Sequence, residues 1–157
     1  MSTRGENVME RTLVLVKPDA IQRGLATEVL GRFERRGLRI AALRLLQADE
    51  ALARRLYSVH DGKPFFDSLV SYITSSPIIA AVLEGPHAIE AVRRTMGETA
   101  PSEAAPGSIR ADLGLEISRN LVHGSDSPES ARREIPIFFR EEEILNYERA
   151  VDRWLVE

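Results

Sequence analysis

Apolar positions along the chain fall into two periods, and the points where the period changes mark the elements. Residues 11–17 (RTLVLVK) are a short continuous apolar run, the pattern of a buried strand, which places Lys17 at the strand's carboxyl end. Pro18-Asp19 breaks that strand, and from 27 to 36 the helical spacing sets Val29, Leu30 and Phe33 on one face before Gly37 stops the helix. A second strand spans 38–47. Asp49-Glu50 caps a short helix to Tyr57, and the loop VHDGKPFF leads to a further helix over 65–73. Residues 77–84 (PIIAAVLE) read as a third strand closed by Gly85-Pro86, and 88–95 as a helix. From 97 to 118 no period is sustained. Leu121-Val122 reads as a fourth strand, 128–134 as a helix, and 141–154 as a helical tail. Residues 1–9 carry no pattern and read as a loose tail, leaving one domain over 10–157 without repeat or linker.

This order predicts an α+β fold: a ferredoxin-like βαββαβ sandwich with a four-stranded antiparallel sheet, helices covering one face, and a long loop insertion before the last strand. A doubly wound parallel sheet is the alternative, which periodicity alone does not exclude.

Composition narrows the function. With 43% hydrophobic and 29% charged residues in 157, the chain has an ordinary globular balance. The absence of cysteine excludes disulfides, thiolate metal sites and cysteine nucleophiles. No run approaches the roughly 18 to 20 apolar residues that span a bilayer, and MSTRGENVMERT lacks the apolar middle of a signal peptide, so a cytoplasmic protein without membrane partners is expected. A net charge of -3 gives no global reason to bind nucleic acid. Any anion site must be local, and only Lys17 and Lys63 among the 21 basic residues are lysines.

The stretch 119–127 (RNLVHGSDS) concentrates the candidate chemistry. Leu121 and Val122 suit a strand, Gly124 permits a turn, Ser125, Asp126 and Ser127 are N-cap residues, and Pro128 fits the first helical position. His123 is thereby placed at a helix N-terminus, where free N–H groups and about half a unit of positive dipole charge suit a phosphate. His60 and His87 read as surface or capping residues. Lys17, Arg93, Arg94 and Arg110 are solvated cations if taken singly, but phosphoryl transfer needs cations of this kind grouped around a held nucleophile. Neither a Walker loop nor a kinase glycine-rich loop is present.

RNLVHGSDS resembles the NxxHGSDS motif of nucleoside diphosphate kinases, and ERTLVLVKPDAIQRGL, KPFF at 63–66, GET at 97–99, PGSIRAD at 106–112 and the tryptophan near the C-terminus resemble the same family in the same order. The resemblance implies that His123 takes the γ-phosphate as phosphohistidine and returns it to a second nucleotide, that Glu134 holds the other ring nitrogen, and that Ser125 is bonded near that pair. By the same resemblance Arg93, Thr99 and Arg110 bind phosphate oxygens. Lys17 and Asn120 reach the ribose hydroxyls, with Lys17 also near the transferred group, and Tyr57 sits beside the histidine. Phe65 stacks on the base opposite Ile117, and Leu69 lines the slot. Stacking tolerates any base, so ATP/ADP, GTP/GDP and other pairs are expected substrates. Mg²⁺ is expected to enter on the nucleotide phosphates, without direct protein ligands. A homo-oligomer, tetramer or hexamer, is also implied, with 97–118 walling the cleft and touching neighbours. Ser118, Ala111 and Val156 depart from the family pattern without removing a catalytic group.

Overall fold

The computed structural model describes residues 9–156. Of the expected N-terminal tail, residues 1–8 lie outside that range, and Met9 already begins β1, Met9–Val16. The other strands are β2, Arg39–Leu46, β3, Ile78–Pro86, and β4, Val122–Gly124. They form one sheet in the order β2-β3-β1-β4 with every neighbouring pair antiparallel, which eliminates the parallel alternative.

Alternation along β1 decides how the sheet is covered. Leu13 and Leu15 join one buried cluster while Val14 and Val16 join another, and all four are fully buried. The sheet therefore has helices on both faces, where the sequence suggested one; a strand buried on both sides reads as an unbroken apolar run, so period 2 is invisible. On the Leu13 face lie α3, Glu50–Leu56, α4, Phe66–Ile73, and α7, Pro128–Phe138. On the Val14 face lie α2, Ala26–Arg35, and α5, Ala88–Met96. Phe33 of α2 is fully buried there, worth about 1.5 to 3 kcal/mol for its apolar surface.

Caps fix the helices that carry the site. Asp49 accepts the Leu52 N–H at 2.8 Å to start α3, and Ser127 accepts the Ser130 N–H at 3.1 Å, with Pro128 in the first turn, to start α7.

Several expectations need correction. Pro18-Asp19 ends β1 but also opens a short helix, α1, Pro18–Gln22: proline in the first turn followed by an acid is a helix start. The 97–118 segment contains α6, Ile109–Leu113, capped by Ser108, between short 3-10 turns at Pro101–Glu103 and Ile117–Arg119. The fourth strand is shifted, with Leu121 outside it at φ 75° and Gly124 inside it. Gly124 is required by close approach rather than by a turn, since a Cβ there would lie 2.7 Å from Val92 Cγ1 on α5. Finally, α7 continues to Phe138 through Pro136, and 141–154 is no α-helix, holding only the short 3-10 turns Glu141–Glu143 and Asp152–Trp154. Tertiary bonds win over helical spacing in that tail. Leu145 N–H donates to Ala41 O of β2 at 2.9 Å, Tyr147 O–H donates to Ile40 O, and the Arg39 guanidinium lies 5.0 Å from the Tyr147 ring centre.

Candidate active site

Strand register brings the site together. Leu15 pairs with His123 and Val16 with Val122, so alternation turns the His123 side chain to the Leu13–Leu15 face, the face that Lys17 also takes at the end of β1. Helix α7 packs on that face and delivers Glu134. His123 thus rides on the strand itself, and the first helical residue follows only at Pro128, so the expected placement at the mouth of a helix does not hold.

His123 Nε2 lies 2.9 Å from Glu134 Oε1, and Ser125 Oγ donates to the same oxygen at 2.7 Å. Leu13 N–H in turn donates to Ser125 Oγ at 3.3 Å, and Arg133 Nη2 donates to Glu134 Oε2 at 3.4 Å. Burial alone would push the Glu134 carboxyl up. The bond and charge of His123, the Ser125 hydroxyl and the Arg133 charge together outweigh it and hold the carboxyl below its ordinary value. An ionised Glu134 accepts only, so Nε2 must carry the ring proton and Nδ1 keeps its lone pair. The His123 side chain is 24% exposed against 6% for Glu134, so the ring is held from behind and open in front.

A second group forms around Asn120. Lys17 Nζ donates to Asn120 Oδ1 at 2.8 Å, and Asn120 Nδ2 donates to Thr99 O at 3.1 Å. Arg110 is buried and donates to three carbonyls: Asn120 O at 3.2 Å, Gly97 O at 3.0 Å and Val122 O at 2.7 Å. It therefore clamps the loop to β4 with three of its five N–H groups, the other two making no hydrogen bond among the described residues. Burial lowers Lys17 to about 8, helped by the Arg110 charge and opposed by Asp19. Burial and then the neighbouring Arg93 charge lower Arg110 to about 10, against Glu98. Burial leaves both cations short of compensating charge despite Asp19 and Glu98, the condition a polyphosphate would relieve. Arg93 is exposed in the last turn of α5; its side chain makes no hydrogen bond or ion pair among the described residues and lines a cleft with Gly97, Glu98, Thr99, Ser108 and Asp126.

Of the remaining expected residues, only Tyr57 is tied to this centre. Tyr57, buried at the end of α3, is pushed up to about 12 by burial and then by the Glu134 charge, which places it within electrostatic reach of the pair. Phe65 precedes α4 and is 45% exposed, Leu69 lies one turn on and is half-buried, and Ile117 is 61% exposed. His60 lies between Tyr57 and Phe65, with ring centres 6.5 and 5.3 Å away; His87 starts α5 at φ 53°. Neither approaches the Glu134 pair through a hydrogen bond. Sequence reasoning missed Arg133, whose signal was adjacency to Glu134, and Asp19 and Tyr72, which had none beyond the Lys-Pro-Asp spacing. No group of three or more His, Asp or Glu among the described residues is placed to hold a metal, and no described helix is long and apolar enough to cross a membrane.

Residues 10–144 match the family model described as nucleoside diphosphate kinase. The nucleoside diphosphate kinase of Thermomicrobium roseum is 57% identical over 148 residues, covering 94% of this chain and 99% of its own length. That of Archaeoglobus fulgidus is 54% identical over 149 residues, covering 95% and 99%. Among solved structures, a halophilic nucleoside diphosphate kinase from Halobacterium salinarum in complex with CDP superposes at TM-score 0.92 with 44% identity, covering 96% of this chain and 100% of that one. A nucleoside diphosphate kinase family protein from Babesia bovis superposes at 0.91 with 40% identity, covering 94% and 99%.

Proposed function

Because the chain belongs to the nucleoside diphosphate kinase family, we propose that it passes the γ-phosphate of a nucleoside triphosphate to a nucleoside diphosphate on His123, with Nδ1 as the nucleophile. The observation that carries this reading is the 2.9 Å bond between Nε2 and Glu134, which fixes the tautomer and leaves Nδ1 open.

The resemblance assigns the roles, and the geometry around His123 supports them. The Nδ1 lone pair forms a bond to the γ-phosphorus as the bond from phosphorus to the β,γ-bridging oxygen breaks, and the diphosphate leaves. The ring becomes cationic, and the ionised Glu134 stabilises it. Arg93, the two free N–H groups of Arg110 and the Thr99 hydroxyl take the phosphate oxygens. Lys17 and Asn120 take the ribose hydroxyls, with Lys17 close enough to the transferred group to offset its charge. Phe65 and Ile117 flank the base and Leu69 lines the slot, so contact is by stacking and base specificity is broad. A diphosphate then binds in place of the first product and reverses the steps. Magnesium would come with the nucleotide and neutralise phosphate oxygens; of the carboxylates on the cleft, Asp126 already accepts from Ser130 Oγ and faces Arg93, Glu90 pairs with Arg94 at 2.9 Å, and no group of three acids among the described residues is placed to hold a metal, which suits one held by phosphates. Leu43 and Leu45, exposed by 55% and 68% on edge strand β2, support assembly into a homo-oligomer.

Incubation with γ-labelled ATP tests this reading. One acid-labile, alkali-stable label per chain should appear and be discharged by GDP or CDP, and His123→Gln should take up none while still binding nucleotide. Label on His123→Gln, or label that no diphosphate releases, would overturn it.

A further inference from the structure

Leu121, fully buried, holds φ 75°, a conformation that costs a bulky side chain and persists only where its surroundings enforce it. Val122 N–H donates back to Asn120 O at 2.9 Å, closing a three-residue turn on Leu121, and Lys17 N–H donates to Leu121 O at 2.9 Å. The Leu121 N–H goes to Asp19 Oδ2 at 3.1 Å. The other oxygen of Asp19 accepts the Tyr72 O–H. Tyr72 belongs to α4, the helix that follows Phe65 and carries Leu69, and its ring lies 5.8 Å from Lys17 Nζ and 4.6 Å from the Arg119 guanidinium. Burial, then the bond to Asp19, keeps the Tyr72 hydroxyl protonated as a donor.

One carboxylate thus joins three pieces: the turn that presents Asn120, the strand end that presents Lys17, and the helix that presents the base slot. We infer that Asp19 and Tyr72 are positioning residues, holding the ribose contacts Lys17 and Asn120 in register with the base slot on α4. Neither touches the nucleotide. The inference rests on the assignment of Lys17 and Asn120 to the ribose hydroxyls.

The consequence is selective. Loosening the turn should weaken what Lys17 and Asn120 do for the sugar more than what the arginines do for phosphate. The test is the ratio of kcat/KM for ATP to that for 2′,3′-dideoxy-ATP, which lacks both ribose hydroxyls, in the parent, Asp19→Ala, Asp19→Asn and Tyr72→Phe, with Tm alongside. Asp19→Ala leaves the Leu121 N–H without its acceptor, and the ratio should narrow by roughly tenfold, the scale of losing one hydrogen bond to a charged group. Tyr72→Phe keeps the ring against Lys17 and Arg119 and should narrow the ratio several-fold. Asp19→Asn offers an amide oxygen to Leu121 and an NH₂ to the Tyr72 hydroxyl, and should recover most of the parental ratio. If kcat/KM falls equally for both nucleotides, or Tm falls with the ratio unchanged, Asp19 and Tyr72 only stabilise the fold and the inference is overturned. A parent enzyme that does not discriminate between the two nucleotides would instead overturn the ribose assignment itself.

Discussion

Replacing Glu134 by glutamine removes a charge and keeps the shape, which makes it the sharpest perturbation of the pair at the centre of the site. The carboxylate is 6% exposed and its Oε1 accepts from both His123 and Ser125. A hydrogen bond to a charged group contributes about 1.5 to 3 kcal/mol, so loss of the charge that stabilises the cationic ring corresponds to roughly 10- to 10²-fold in the rate of phosphoenzyme formation. A further factor comes from the amide's orientation. Arg133, donating to Oε2 at 3.4 Å, favours the amide oxygen on its own side, which turns the NH₂ toward His123. The ring would then protonate at Nδ1 and lose its attacking lone pair, as a swapped tautomer does in catalytic triads at a cost nearer 10⁴. The expected loss is therefore at least tenfold and extends well beyond it, with nucleotide affinity little changed. Rapid-quench measurement of phosphoenzyme formation at saturating ATP, for parent and variant, reads this directly. A rate within threefold of the parent, with Tm preserved, would refute the argument. The same variant carries a stability prediction. Because the folded carboxyl lies below its ordinary 4.5, the ion's interactions stabilise the fold above that value and are lost as pH falls through the lower folded value. The parent should therefore lose Tm more steeply than Glu134→Gln on acidification below about 4.5.

Arg93→Ala and Arg110→Ala should separate binding from structure. Each should lower kcat/KM by roughly 10²- to 10³-fold, but only Arg110→Ala, which abandons three carbonyls, should also lose stability, about 3 kcal/mol or roughly 6 to 12 °C in a thermal melt; equal melting temperatures for the two variants would contradict the clamp. In the free enzyme Lys17 loses its proton near about 8, so the pH profile of kcat/KM should fall on the alkaline side there, and Lys17→Arg, which stays charged, should flatten that limb at a lower plateau. An alkaline limb that survives unchanged in Lys17→Arg belongs to some other group.

Legibility in the sequence followed locality. The apolar run of β1, the helical face of Val29 and Phe33, and the caps Asp49 and Ser127 act over a few residues, and all could be read directly. The antiparallel order was inferred from the sequence of elements and holds in the sheet. The short helices α1 and α6 were missed although their starts, Pro18-Asp19 and Ser108, are local; the other failures depended on distant partners. The 141–154 tail has helical spacing, yet Leu145 and Tyr147 bond to β2 instead. Gly124 looked like a turn because its true reason, the flank of Val92 on α5, is 32 positions upstream. His123, Glu134 and Ser125 were placed together by resemblance, but the bond from Leu13 to Ser125 and the Asp19 link to Tyr72 and Leu121 span more than 50 residues each, where spacing carries no signal.

The central claim is that Glu134 commits Nε2 and leaves Nδ1 to attack. Phosphoenzyme prepared from ATP and ¹⁵N-histidine-labelled protein, studied by ¹⁵N and ³¹P NMR at alkaline pH, identifies which ring nitrogen bears phosphorus. The account predicts phosphorus on Nδ1 of His123, with Nε2 still protonated and bonded to Glu134. Phosphorus on Nε2, or on any residue other than His123, would contradict it.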